Sequence, residues 1–163
     1  MATFNWYLLP HLLGTRADLA GTLEAIDAFP GWNGITWGSA PTEDMILDFD
    51  EPDGTACYWR DRDRQRAARE QLLLGEYLVN KVLYSFKDGR LCSIGFSLAQ
   101  AYDYEGVRVS LLAAYGDPEL LDETSDTHGW NGDTIAVRLR RKGDDGGSVA
   151  WFNVPLARGR QSA

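Results

Sequence analysis

The stretch KVLYSFKDGRLCSIGFSL, Lys81 to Leu98, constrains the fold more than any other, because it joins two strongly apolar runs through Asp88-Gly89. Asp-Gly supplies the positive φ that a tight turn needs, and the flanking runs are rich in β-branched and aromatic residues. An antiparallel hairpin is predicted here. Its register follows from which side chains share a face. A two-residue loop sets Tyr84 and Phe86 opposite Ser93 and Leu91, dividing the large side chains between two faces. A three-residue loop, Lys87-Asp88-Gly89, groups Val82, Tyr84 and Phe86 with Cys92, Ile94 and Phe96 and leaves serines and a glycine outside. The second register is the expectation, since it builds one coherent core face.

A second hairpin is read in TIAVRLR and SVAWFNV around GDDGG, with Ile135, Val137 and Leu139 inward and Arg138 and Arg140 outward. AYDYEGVRVSLLAAYGDP, lying between the hairpins, carries helix punctuation. Asp103 is the expected cap, Tyr104, Val107, Leu111, Leu112 and Tyr115 the apolar stripe, and Gly116 the C′ residue before Pro118. Residues 4–29 read as a helical N-terminal segment, with Leu19, Leu23, Ile26 and Phe29 at spacings of three and four. In SAPTEDMIL, Ser39 or Thr42 as cap, an early Pro41 and acids in the first turn predict a short helix ending by Phe49. Gly54 to Arg60 alternates as a strand. RDRDRQRAARE then reads as extended, with Arg60, Arg62, Arg64 and Arg66 on one face. Such a comb suits a carboxylate or phosphate; a mixed-charge solvated connector is the plainer interpretation.

These elements predict an α+β fold in a single domain, 1–163: a helical segment at 4–29, an α+β core over 31–154 and a frayed basic tail at 156–163. The expected sheet is antiparallel, with about five to six strands covered on one face by helices. GWNG occurs twice, at Gly31 to Gly34 and at Gly129 to Gly132. The flanks do not match, so the copies are expected to be two similar turns, each using the positive φ open to Asn-Gly. If the two turns meet, Trp32, Trp37 and Trp130, with His128 beside them, line an aromatic cleft for a small ligand.

Charge narrows the function. The 163 residues carry 24 acids against 16 bases, a net charge of −8, which disfavours nucleic acid and anionic membranes and suits a basic protein partner. The acids cluster. Glu43, Asp44, Asp48, Asp50, Glu51 and Asp53 fall in one base-free run, and Asp122, Glu123 and Asp126 in another. The first run resembles a calcium loop at Asp48 to Gly54, but Pro52 and Trp59 occupy ligand positions. Two histidines, His11 and His128, are too few for a His-rich metal site, so no metal and no cofactor is expected. Cys57 and Cys92 sit in apolar strand-like runs and lack a nucleophile motif, which leaves a Cys/His hydrolase as a remote alternative. The N-terminus has no basic n-region and its apolar stretch is broken by Asn5, Pro10 and His11, so neither a signal peptide nor a span is read there. The expected compartment is the cytoplasm, or the periplasm if an export signal has been removed.

The order of GITWGSAPTED, YSFKDGRL, AAYGDP and GWNGDTIAVRL resembles that of small bacterial α+β proteins. In these a Gly-x-x-Trp-Gly strand, a Tyr-x-Phe hairpin strand and a helix ending in Tyr-Gly-x-Pro precede a Trp-containing strand. Trp37, Gly38, Tyr84, Phe86, Tyr115, Gly116, Pro118 and Trp130 occupy those places, over residues 31 to 154. The resemblance implies a fold and carries no catalytic residue. The functional expectation is a non-enzymatic binding protein, an acidic immunity- or inhibitor-type protein for a basic partner. The alternative is a small-ligand or envelope-associated module using the aromatic cleft.

Overall fold

The computed structural model describes residues 26–69, 71–124, 126–142 and 145–159. The predicted N-terminal helix lies outside them up to residue 25, as does the tail from residue 160. Eleven strands follow in chain order: β1 (Gly31–Trp32), β2 (Ile35–Thr36), β3 (Met45–Asp50), β4 (Thr55–Arg60), β5 (Leu73–Leu74), β6 (Tyr77–Lys87), β7 (Arg90–Leu98), β8 (Leu120–Asp122), β9 (Thr127–Asn131), β10 (Ile135–Lys142) and β11 (Asp145–Asn153). Among the described residues three short helices accompany them: α1 (Asp61–Ala68), α2 (Asp103–Tyr115) and α3 (Val154–Arg158). β1 and β2 form a small ribbon. The other nine strands make one antiparallel sheet, ordered β3-β4-β6-β7-β11-β10-β9-β8 with β5 against β6.

This overturns the predicted α+β fold, an antiparallel sheet of about five to six strands covered on one face by helices. The molecule is mostly β, and helices are a minor part of what covers the sheet. Among the described residues, α2 sends the most apolar side chains into the core, Tyr104, Val107, Leu111, Ala114 and Tyr115, while α1 adds the half-buried Ala67 at its margin. α1 buries only Asp63 and α3 buries nothing. Ile26, Phe29, Trp32 and Ile35, on the β1–β2 ribbon and the segment before it, do the rest. Phe29 stacks on Trp151 with centroids 4.5 Å apart, and Trp32 meets Phe96 edge-on at 4.7 Å.

The β6–β7 turn has two residues, not three. Asp88 and Gly89 both take positive φ, 53° and 80°, and Lys87 pairs with Arg90. The core face still forms, because a register shift leaves Cys92 unpaired between Phe86↔Leu91 and Ser85↔Ser93, so that Tyr84 faces Ile94 and Val82 faces Phe96. Leu91 takes the core place expected of Cys92. The β10 and β11 strands pair as read, with Ile135, Val137 and Leu139 buried and Arg140 exposed, but Arg138 is half-buried, the pairing extends to Lys142↔Asp145, and residues 143 and 144 lie outside the described residues. α2 ends at Gly116 with φ 84°, as expected, but Asp103 is its first residue and Tyr102 its cap, without a side-chain hydrogen bond.

Two predicted segments exchange conformations. The predicted helix of SAPTEDMIL is β3, pairing with β4 from Met45↔Arg60 to Asp50↔Ala56. The predicted extended Arg comb is α1. Asp61 and Asp63 sit in its first turn, where they complement the helix dipole, and Gln65 donates to Asp61 one turn back at 2.7 Å.

The GWNG copies are different solutions. Asn33 and Gly34 take positive φ, 52° and 85°, and close the β1–β2 ribbon. The second copy ends β9 without a positive φ at Asn131 or Gly132. Its loop is instead held by Asp27, whose carboxylate accepts from the amides of Asp133, Thr134 and Ile135, each at 2.9 Å. Burial pushes the Asp27 carboxyl up, but these amides outweigh it and hold it below the usual carboxylate range. Asp27→Ala is expected to cost about 1–3 kcal/mol in urea unfolding at neutral pH. A depressed carboxyl stabilises above its unfolded value, 3.8, and loses that contribution as pH falls through the folded value. Wild type and variant therefore converge in strong acid, and an unchanged gap there contradicts the assignment.

Candidate functional site

A polar cleft opens where the sheet splits. The β4–β6 ladder runs from Thr55↔Lys87 to Tyr58↔Tyr84 and stops. Beyond it β4 stays paired with β3, then turns into α1, which packs back against β6. The resulting cavity has a volume of about 290 Å³ and is lined by Trp59, Arg60, Asp63, Arg64 and Lys81 among others.

Its floor is a buried ionic group. Arg60 and Asp63 are 5% and 2% exposed. Arg60 Nε donates to Asp44 Oδ2 at 2.8 Å, its guanidinium lies 6.0 Å from the Tyr84 ring centre, and the Tyr84 hydroxyl donates to Asp63 Oδ2 at 2.9 Å. Burial pushes the Asp63 carboxyl above its ordinary value; the Tyr84 hydroxyl and the charges of Arg60, Arg66 and Arg62 offset this only in part. Burial also raises the Tyr84 phenol, and the neighbouring Asp63 charge adds to it. For Arg60, burial opposes the charge, yet Asp44 and Tyr84 hold the guanidinium above its usual value. One nitrogen of Arg60, Nη1, and one oxygen of Asp63, Oδ1, are buried without a hydrogen-bond partner among the described residues. At the mouth, Lys81 pairs with Asp48 at 3.1 Å and the Arg64 guanidinium stacks 4.7 Å above the Trp59 ring.

The acidic runs become the two outer edges of the sheet. Seven strand steps separate β3 from β8, roughly 33 Å along the sheet, so the two clusters lie on opposite edges. On the β3 side, Asp44, Asp48 and Asp53 are engaged with Arg60, Lys81 and Lys87. Glu43, Asp50 and Glu51 are exposed and have no ion pair among the described residues. At the β8 edge, Asp122 and Glu123 are exposed and Asp126 pairs with Arg141 at 3.8 Å.

Of the four residues of the predicted aromatic cleft, His128 and Trp130 lie together, and two of the three tryptophans are core residues. Trp32 and Trp130 are 5% and 1% exposed and belong to the core. Trp37 is half-buried, its Nε1 donating to the Phe29 carbonyl at 2.8 Å. His128 lies against Trp130 and within 3.5 Å of the Tyr104 hydroxyl. Five strand steps separate Cys57 on β4 from His128 on β9, roughly 24 Å, and three separate Cys92 on β7 from it. Both thiols are buried and raised, chiefly by burial, Cys92 to about 11. His11 lies outside the described residues. Among the described residues, no three His, Cys, Asp or Glu side chains gather as metal ligands, and no helix is long and apolar enough to cross a membrane.

Sequence reasoning missed the Asp63–Tyr84 pair and the cleft above it. The signal available was the arginine comb, read with the wrong backbone: with the helix starting at Asp61, Arg60 at the end of β4 and Arg64 in the first turns of α1 share the cleft. Comparison with protein-family models, with curated proteins and with solved structures yields no match, so the functional reading rests on the geometry of the chain itself.

Proposed function

We propose that the protein is a non-enzymatic binding protein whose β3 edge receives an extended, basic segment of a partner protein. The observation that carries this reading is the composition of that edge. β3 ends the sheet on one side, and Ile46, Leu47 and Phe49 are 43%, 48% and 44% exposed. A terminal strand with three large exposed apolar side chains is a template for strand addition, and natural edges of this kind are either blunted or used. Glu43, Asp50 and Glu51 select the occupant. A second copy of the chain would bring like charges together, whereas a segment alternating basic and apolar residues satisfies both the backbone and the acids. β8 is less suited, having three residues to β3's six.

A short fluorescent peptide alternating lysine and valine is expected to bind saturably, and its glutamate–valine counterpart to fail. Asp50→Lys with Glu51→Lys should weaken the lysine peptide by about tenfold or more, and added salt should do likewise. Because neither acid has an ion pair among the described residues, thermal unfolding of the variant should stay near wild type. Equal binding of both peptides, or binding indifferent to the reversal, contradicts the proposal.

A further inference from the structure

We infer that the cleft between β4, β6 and α1 is a binding site for a small monocarboxylate bearing a hydrogen-bond donor beside the carboxyl, as in a 2-hydroxy acid. This site adjoins β3, which contributes Asp48 to its mouth, but it does not rest on the reading above. Three features argue for a ligand over a purely structural ion pair. First, the buried ionic group is incomplete: Arg60 Nη1 lacks an acceptor and Asp63 Oδ1 lacks a partner, in residues that both line the cavity. A buried polar atom left unmade is costly. An acceptor and a donor side by side on one small molecule complement such a pair.

Second, Arg64 supplies a guanidinium fork with no carboxylate partner among the described residues, oriented by its stacking on Trp59. A planar fork held against an aromatic face is the geometry that takes a carboxylate bidentately. Third, charge and size limit the ligand. Arg60, Arg64 and Lys81 are balanced by Asp44, Asp48 and Asp63, so the cleft accepts a monoanion more readily than a phosphate dianion. A cavity of about 290 Å³ lies at the small end of ligand sites, which begin near 300 Å³.

Mandelate, which joins a 2-hydroxy carboxylate to a ring, is the probe, with tryptophan fluorescence as the readout and Trp59→Phe identifying the reporter. Mandelate should give a saturable response. Phenylacetate, lacking the hydroxyl, should bind about tenfold more weakly; 2-phenylethanol and inorganic phosphate should not saturate. Arg64→Ala and Arg64→Lys should both lose at least about tenfold in affinity, since lysine keeps the charge but not the fork. Arg64 is exposed, so both variants should melt like wild type. No saturable response to mandelate, unchanged binding in Arg64→Ala, phosphate binding tighter than mandelate, or phenylacetate equal to mandelate would each overturn the assignment.

Discussion

Replacing Trp151 by alanine is expected to lower stability by about 3–5 kcal/mol, the range for removing a large aromatic from a packed core. In a chain of this size that lowers the melting temperature by roughly 6–20 °C. Trp151 has no exposed surface. It stands on β11 near the middle of the sheet, pairing with Ile94 on one side and Val137 on the other. Phe29 stacks on it, Phe96 meets it edge-on at 5.8 Å, and its Nε1 donates to the Tyr115 hydroxyl at 3.2 Å. One indole thus ties the sheet to α2 and to the segment ahead of β1. A cavity there opens against three elements that cannot all collapse into it. Tyr115→Phe isolates the polar part: it leaves the indole N–H short of this acceptor and should cost about 1–3 kcal/mol. A Trp151→Ala loss below the Tyr115→Phe loss would contradict this account of the core.

Arg60→Met should cost about 3–5 kcal/mol near neutral pH, because it removes the ion-pair partner of Asp44 and the cation that most favours the buried Asp63 carboxylate. Methionine keeps much of the apolar stem, so the loss reports charge more than volume. Its pH dependence distinguishes it from a packing defect. Asp63 is a carboxyl whose folded value lies above the unfolded 3.8. The folded state therefore binds its proton more readily, and acidification from the folded value toward 3.8 favours folding, by at most about 1.4 kcal/mol per pH unit. In the variant the uncompensated Asp63 charge disappears on protonation, so the gap to wild type narrows as pH falls through that window. Asp63→Asn should lack the wild-type slope. A gap that is flat or widens on acidification would show that Arg60 acts through packing alone.

How far the sequence was legible depended on how local the deciding interactions were. The β10–β11 hairpin could be read because its alternation and turn residues lie within one segment. α2 could be read from its stripe and Gly116. β3 could not. Ser39, Pro41, Thr42 and the following acids satisfy helix-start rules, but pairing of Met45 to Asp50 with β4 outweighs these weak local preferences. The arginine run failed in the opposite sense, since alternating charge suggested an extended chain where acids early and a base late favour a helix. The cleft was invisible for another reason. Asp63 is buried by Tyr84, 21 residues on, and Arg60 is fixed by Asp44, 16 residues back; no spacing rule links these positions. Likewise, Asp27 pins the loop after the second GWNG from more than 100 residues away.

The β3 edge is the centre of the functional account, and residue-resolved amide exchange tests it most directly. With the lysine–valine peptide at saturation, the β3 amides not bonded to β4 should slow while those of β8 remain unchanged. Exchange along β3 that is indifferent to the peptide, or equal slowing at β8, would show that the acidic edge of Met45 to Asp50 is not the docking strand.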